Sequence, residues 1–71
     1  MTNPVRTEII RLVERVSDLA PDVRFGQMVA FLVEMTPDPQ TRGLWDLEDE
    51  ELLAALRQHH ADLVGRMQNV A

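Results

Sequence analysis

The chain of 71 residues contains no cysteine, no lysine and no tyrosine, and its only serine is Ser17. Without cysteine, neither disulfides nor thiolate zinc sites can stabilise it. Ser17 falls on the polar face of a predicted helix, a position that does not suit a catalytic nucleophile. The three glycines are isolated, so the chain has no glycine-rich phosphate-binding loop. We therefore expect no catalytic residues and no cofactor, and we predict that the protein is not an enzyme.

Positive charge and long apolar runs are also scarce. Twelve acidic residues against seven arginines give a formal net charge of −5. A nucleic-acid-binding surface needs clustered basic residues, whereas these arginines are scattered along the chain. The longest apolar run, residues 28–33, is far shorter than the ~18–20 residues of a membrane span, and no signal peptide is visible. The sequence therefore predicts a cytoplasmic protein that binds neither nucleic acid nor membranes.

Apolar residues recur at helical spacing in three segments of the chain. The predicted helices cover about residues 4–20, 23–36 and 46–68. The sequence contains no strand pattern and no internal repeat. We therefore predict one all-α domain over residues 1–71, a compact three-helix fold.

Capping residues precede each predicted helix. Asn3 is a good N-cap, and Pro4 suits the first helical position because its missing N–H costs nothing there. Asp22, which follows a proline, is the predicted cap of the second helix. Asp46 is the predicted N-cap of the third, and we expect the preceding Trp45 to fold into the core.

The second predicted helix is apolar on almost every side. Its apolar residues are Phe25, Met28, Val29, Ala30, Phe31, Leu32, Val33 and Met35. Such a helix is normally buried on more than one side, yet a chain of this length buries only about 60% of its unfolded surface. We therefore expect self-association, as a homodimer, through this helix and part of the third.

The polar residues of the same helix form a thin line of Arg24, Gln27 and Glu34, with Phe31 on the same side. We predict that these four residues belong to the contact surface of a small interaction or accessory protein. Adaptable apolar contacts are available from Met28, Met35 and Met67, although methionines at helical spacing are more often core residues. Two alternatives stay open: an unidentified protein partner, and a small-molecule or peptide-binding module with Arg24 and Gln27 at the polar end of an apolar pocket.

Residues 46–51, named here the acidic segment, hold the densest charge in the chain. Its acidic residues are Asp46, Glu48, Asp49, Glu50 and Glu51. Acids at a helix start suit the positive end of the helix dipole, and the spacing does not match a calcium-binding loop. We predict either a structural brace for Arg24 or a docking patch for a basic partner. Asp22 is the alternative, local partner of Arg24.

His59, His60 and Asp62 are the residues that most invite a metal hypothesis. Adjacent histidines point about 100° apart on a helix, so they cannot ligate one ion together. His59 and Asp62 are three residues apart and can share a face, but two ligands from one chain make an incomplete site. We therefore predict no metal.

Two segments of the chain are less generic than the rest. Residues 24–27 read R-F-G-Q and precede an apolar run, and residues 45–52 read W-D-L-E-D-E-E-L. With this pair of segments, the chain resembles a family of short, uncharacterised bacterial proteins over about residues 12–59. The resemblance implies no activity, cofactor or site, and the residues from His60 onward lie outside it.

Overall fold

A computed structural model describes residues 3–36, 38, 40 and 43–68. Its α-helices are α1 (Pro4–Leu19), α2 (Phe25–Glu34) and α3 (Asp49–Gln68), and a 3₁₀ turn (Leu44–Asp46) precedes α3. No strand occurs among these residues, and the predicted all-α, three-helix fold is confirmed. Within the same residues, no helix has both the length and the apolar character that a membrane span requires.

The start of α1 is built as predicted. The Asn3 Oδ1 atom accepts hydrogen bonds from the backbone N–H groups of Val5, at 3.0 Å, and Arg6, at 3.4 Å. Pro4 occupies the first helical position. The side chain of Asn3 thus satisfies backbone donors that the first turn of a helix leaves without partners.

The start of α2 differs from the prediction. The helix begins at Phe25 and ends at Glu34, so it is shorter at both ends than the predicted span of 23–36. Asp22 is not its cap, because the N-cap position falls at Arg24. The cap instead comes from inside the helix, where the Gln27 Oε1 atom accepts a hydrogen bond from the Arg24 backbone N–H at 2.9 Å.

The start of α3 is also later than predicted. Asp46 belongs to the 3₁₀ turn, where its carboxylate accepts a hydrogen bond from the Gly43 N–H at 3.3 Å. Leu47 is extended and separates this turn from α3. The Glu48 N–H donates to the Glu51 Oε1 atom at 3.1 Å. Asp46 therefore caps the turn, whereas a glutamate of the first helical turn satisfies the backbone at the start of α3.

Trp45 lies outside the core, and the prediction that it folds inward is wrong. Its exposure is 97%, and that of the neighbouring Leu44 is 49%. The separate 3₁₀ turn holds both residues at the surface, because α3 starts only after the chain has passed Leu47. The largest side chain of the protein is thus left in contact with solvent.

The core is formed by one stripe from each helix. Its buried apolar residues are Leu12 and Val16 of α1, Met28 and Leu32 of α2, and Leu53, Ala55 and Leu56 of α3. Val16 and Leu56 are fully buried. Most of the contacts between helices are those between α1 and α3, and α2 makes fewer contacts with α3. A short helix packed on one side leaves much of its apolar surface uncovered.

The helices run up, down and up. Arg6 near the start of α1 contacts Asp49 at the start of α3, and farther along both helices Val16 and Leu63 line one groove. α1 and α3 therefore point the same way. The start of α2 borders that groove, whereas Met35, just beyond the end of α2, lines a hollow with the first turns of α3. α2 is thus antiparallel to the other two.

Candidate functional site

A groove of about 650 Å³ opens between the last turns of α1, the first turns of α2 and the second half of α3. Its size falls within the roughly 300–1,000 Å³ that is typical of ligand pockets. The apolar lining comes from Val16, Ala20, Pro21, Val23, Phe25, Met28, Phe31 and Leu63, and the polar lining from Ser17, Gln27, His59, Asp62 and Arg66. A mostly apolar lining with a few polar side chains, three of them from α3, suits a ligand or a partner's side chains.

Two phenylalanines stand exposed beside this groove. Phe25 is 61% exposed and Phe31 is 45% exposed, and Val23 next to them is also exposed. The Phe31 ring lies against the His59 ring, with centroids 4.8 Å apart and planes tilted by 53°. We name Val23, Phe25, Phe31 and Leu63 the groove surface. Contiguous apolar area of this kind commonly marks an interaction site.

About two turns of α3, from His59 to Arg66, supply the polar edge of the groove. Burial lowers the pKa of His59 below its ordinary value of 6.5, the Asp62 carboxylate opposes that shift, and the Arg66 cation adds to it. The lowered pKa therefore favours the neutral form of His59. The Asp62 Oδ1 atom accepts a hydrogen bond from the Gln58 amide at 3.0 Å. The edge presents an imidazole, a carboxylate and a guanidinium.

His59 and Asp62 share a face, as their spacing indicates, and both line the groove. Among the residues that the structure describes, no group of three or more His, Cys, Asp or Glu side chains could hold a metal ion. The absence of a metal from the functional protein stays a prediction.

The structure places two of the four predicted interaction residues in the lining of the groove and two outside it. Gln27 and Phe31 line the groove, whereas Arg24 and Glu34 are exposed and outside its lining. The groove's polar edge therefore comes mainly from α3 and not from Arg24. The sequence contained a signal for this edge, since residues 59, 62, 63 and 66 follow the spacing of one helical face. That signal does not reveal which helix the face meets.

The acidic segment lies at the other end of the bundle from Arg24. Asp49 pairs with Arg6, whose Nε atom is 3.1 Å from the Asp49 Oδ2 atom. Within the described parts of the chain, Arg24 makes no ion pair with the segment. The ten-residue α2 separates them by about 15 Å, because a helix rises about 1.5 Å per residue. Asp49 therefore pairs with Arg6 of α1 and is not the predicted brace for Arg24. The alternative, that the acidic segment is a docking patch for a basic partner, stays a prediction.

A second ion pair joins the same two helices. The Arg57 Nη2 atom lies 2.8 Å from Glu8 Oε1 and 2.9 Å from Glu8 Oε2, and its Nε atom lies 3.1 Å from Oε1. The partners are 49 residues apart in sequence, so no local spacing rule could have found them. Both ion pairs tie α1 to α3, and neither involves the groove surface.

Comparison of the chain with protein-family models, with curated proteins and with solved structures found no match. The resemblance to short bacterial proteins therefore stays a prediction.

Proposed function

We propose that the protein is a small cytoplasmic interaction protein that forms a homodimer and makes its contact through the groove surface. The observation that carries this proposal is the exposure of Phe25 and Phe31 beside an apolar groove. Aromatic side chains are enriched at the centres of protein interfaces and contribute most of the binding energy there. Exposed phenylalanines in one contiguous patch therefore favour protein contact over a solvated surface.

The size of the chain supports self-association. Small domains usually need a disulfide, a metal or a second chain to supplement a limited core. Cysteine is absent, and the described core consists of seven buried apolar residues. Covering the groove surface with a second copy would extend this core without any new element of structure.

The net negative charge does not oppose such contact strongly. The acidic segment begins α3, whereas Leu63 of the groove surface lies fourteen residues later. At about 1.5 Å per residue, this separation is roughly 21 Å along the helix. Charges that far apart are largely screened, since the Debye length is about 8 Å at physiological ionic strength. The acidic segment of one chain therefore has little electrostatic effect on the groove surface of that same chain.

Sedimentation of the full chain at micromolar concentration tests this proposal. We expect a dimer for the wild type and a monomer for Phe31→Ala, because loss of an interface hot spot costs about 2 kcal/mol or more. Ile10→Ala is the control, since Ile10 is an exposed apolar residue of α1 that does not line the groove. Circular dichroism establishes that each variant keeps its helices. A wild type that sediments as a clean monomer contradicts the proposal.

The second candidate is a small-molecule or peptide-binding module that uses the same groove. Its volume and the convergence of His59, Asp62 and Arg66 at one edge favour this alternative. In this alternative, the polar end of the pocket is formed by these three residues and Gln27, and not by Arg24 as the sequence predicted. A fluorescent apolar dye that binds a monomeric wild type, and binds Phe31→Ala much more weakly, would favour the module over the dimer.

A further inference from the structure

Among the residues that the structure describes, the most exposed large hydrophobic side chain is that of Trp45. Trp45 is 97% exposed, and Leu44 beside it is half exposed. A tryptophan side chain carries roughly 150–250 Å² of surface that dominates interface energetics when buried. Leu44 and Trp45 together form an apolar projection at one end of the bundle, and the groove forms an apolar recess at the other.

Hydrogen bonds within the turn that carries Trp45 order its backbone. The Asp46 N–H donates to the Gly43 carbonyl at 3.0 Å, and the Leu47 N–H donates to the Leu44 carbonyl at 3.3 Å. The Asp46 carboxylate also accepts from the Gly43 N–H. Because the backbone of the turn is already ordered, docking costs less backbone conformational freedom, which favours binding.

We propose that the groove of each copy receives Leu44 and Trp45 of a second copy. This inference rests on the proposed function and names the residues that fill the groove. The turn cannot fill the groove of its own chain, since it precedes α3 and the groove edge begins at His59. Asp49 and His59 are about 15 Å apart along the helix. Residues 45–48 could cover that distance only when fully extended, at up to about 3.6 Å per residue, and extension would break the hydrogen bonds of the turn. An indole bound in the groove therefore comes from another molecule.

The groove has the chemistry that an indole requires. Its floor and walls include Met28, Phe25 and Phe31, and both a thioether and aromatic rings make favourable contacts with an indole. A buried tryptophan needs an acceptor for its N–H group, and the Asp62 carboxylate at the groove edge supplies one. The Arg66 guanidinium lies at the same edge and can face the indole ring as a cation.

Reciprocal docking closes the assembly. Each copy carries one projection and one groove, so a two-fold arrangement satisfies both contacts in a dimer. A one-way contact would leave a free projection at one end and a free groove at the other, and chains of growing length would form. We therefore expect a dimer whose mass stops increasing with concentration.

Complementation between two variants tests this inference in full-length protein. Trp45→Ala keeps the groove but has no projection, and Phe31→Ala keeps the projection but has a damaged groove. Each alone should associate at least tenfold more weakly than the wild type. Mixed, they can form one intact contact, so excess Trp45→Ala should shift the fluorescence of Phe31→Ala towards shorter wavelengths. The signal is unambiguous because Trp45 is the only tryptophan.

The same measurements separate failure of this inference from failure of the proposed function. If Trp45→Ala associates as tightly as the wild type while Phe31→Ala does not, the groove surface is a contact but Trp45 does not fill it. A mixture without a fluorescence shift also overturns the inference. If the wild type itself is monomeric and its emission is independent of concentration, both proposals fail. Phe25→Ala serves as a second groove variant should Phe31→Ala lose its helices.

Discussion

Along the first halves of α1 and α3, charged side chains find partners within the chain: Arg6 contacts Asp49, and Arg57 contacts Glu8. We call this the charged end. At the groove end, Phe25 and Phe31 stand exposed beside a recess. Exposed ion pairs contribute little stability but fix which helices meet, whereas uncovered apolar area stabilises any contact that removes it from water. The charged side chains of the charged end thus have partners within the chain, whereas the apolar area at the groove end stays exposed to water.

The largest loss of stability is expected for a substitution in the core, which lies between the two ends. Leu56→Ala should lower the free energy of unfolding by about 2–5 kcal/mol, because Leu56 is fully buried and its loss leaves a cavity. A domain of this size is stable by only roughly 4–10 kcal/mol, so both ends should be disrupted together. Urea unfolding followed by circular dichroism measures the change. Ile10→Ala should change stability by less than about 0.5 kcal/mol, and an equal loss in the two variants would contradict the described core.

The charged end should respond to substitution without affecting association. A double-mutant cycle of Arg57→Ala and Glu8→Ala should give a coupling energy of about 0.2–1 kcal/mol, because both side chains are partly exposed. The coupling should shrink in 1 M salt, where the Debye length falls to about 3 Å. Dimer affinity measured by sedimentation should stay unchanged. A loss of affinity in these variants would show that the two ends are not independent.

The groove end should carry a small dependence on pH. Burial lowers the pKa of His59 in the folded chain below 6.5, so the unfolded chain takes up this proton first as the pH falls. The titration of His59 therefore leaves the free energy of unfolding highest above pH 6.5. The free energy of unfolding declines as the pH falls from 6.5 towards the pKa of His59 in the folded chain. His59→Gln should remove this decline in urea unfolding measured between pH 7 and pH 5. His60→Gln is the control that should retain it, and an identical slope in both variants would contradict the role of His59.

Features that depend on neighbouring residues could be predicted from the sequence. The cap at Asn3 and Pro4 needs only the first turn of α1, and three helices follow from apolar spacing along each segment. The starts of α2 and α3 were predicted too early. At both, the side chain that accepts the capping hydrogen bond comes from within the helix, from Gln27 and from Glu51. Asp22 and Asp46 are equally good caps by residue type, so composition could not distinguish the two possibilities.

The candidate site depended on contacts between distant parts of the chain. Gln27 and Phe31 were predicted to lie on a contact surface, and both line the groove, but His59, Asp62 and Arg66 reached its edge only through the packing of α3. Trp45 was predicted to be buried because it is large and apolar, yet a side chain is buried only where a neighbouring element covers it. The 3₁₀ turn has no such element over it among the described residues.

The sequence by itself determined the helical class, the start of α1 and the absence of disulfides, because each depends on residue type or on spacing within one helix. The tertiary structure decided which charges pair, where the groove opens and that Trp45 faces solvent. These depend on the directions in which three helices cross, and those directions are set by packing between residues far apart in the chain. The sequence shows that the second helix is apolar on almost every side. Only the packing of the helices places two of its apolar side chains, Phe25 and Phe31, at an exposed groove.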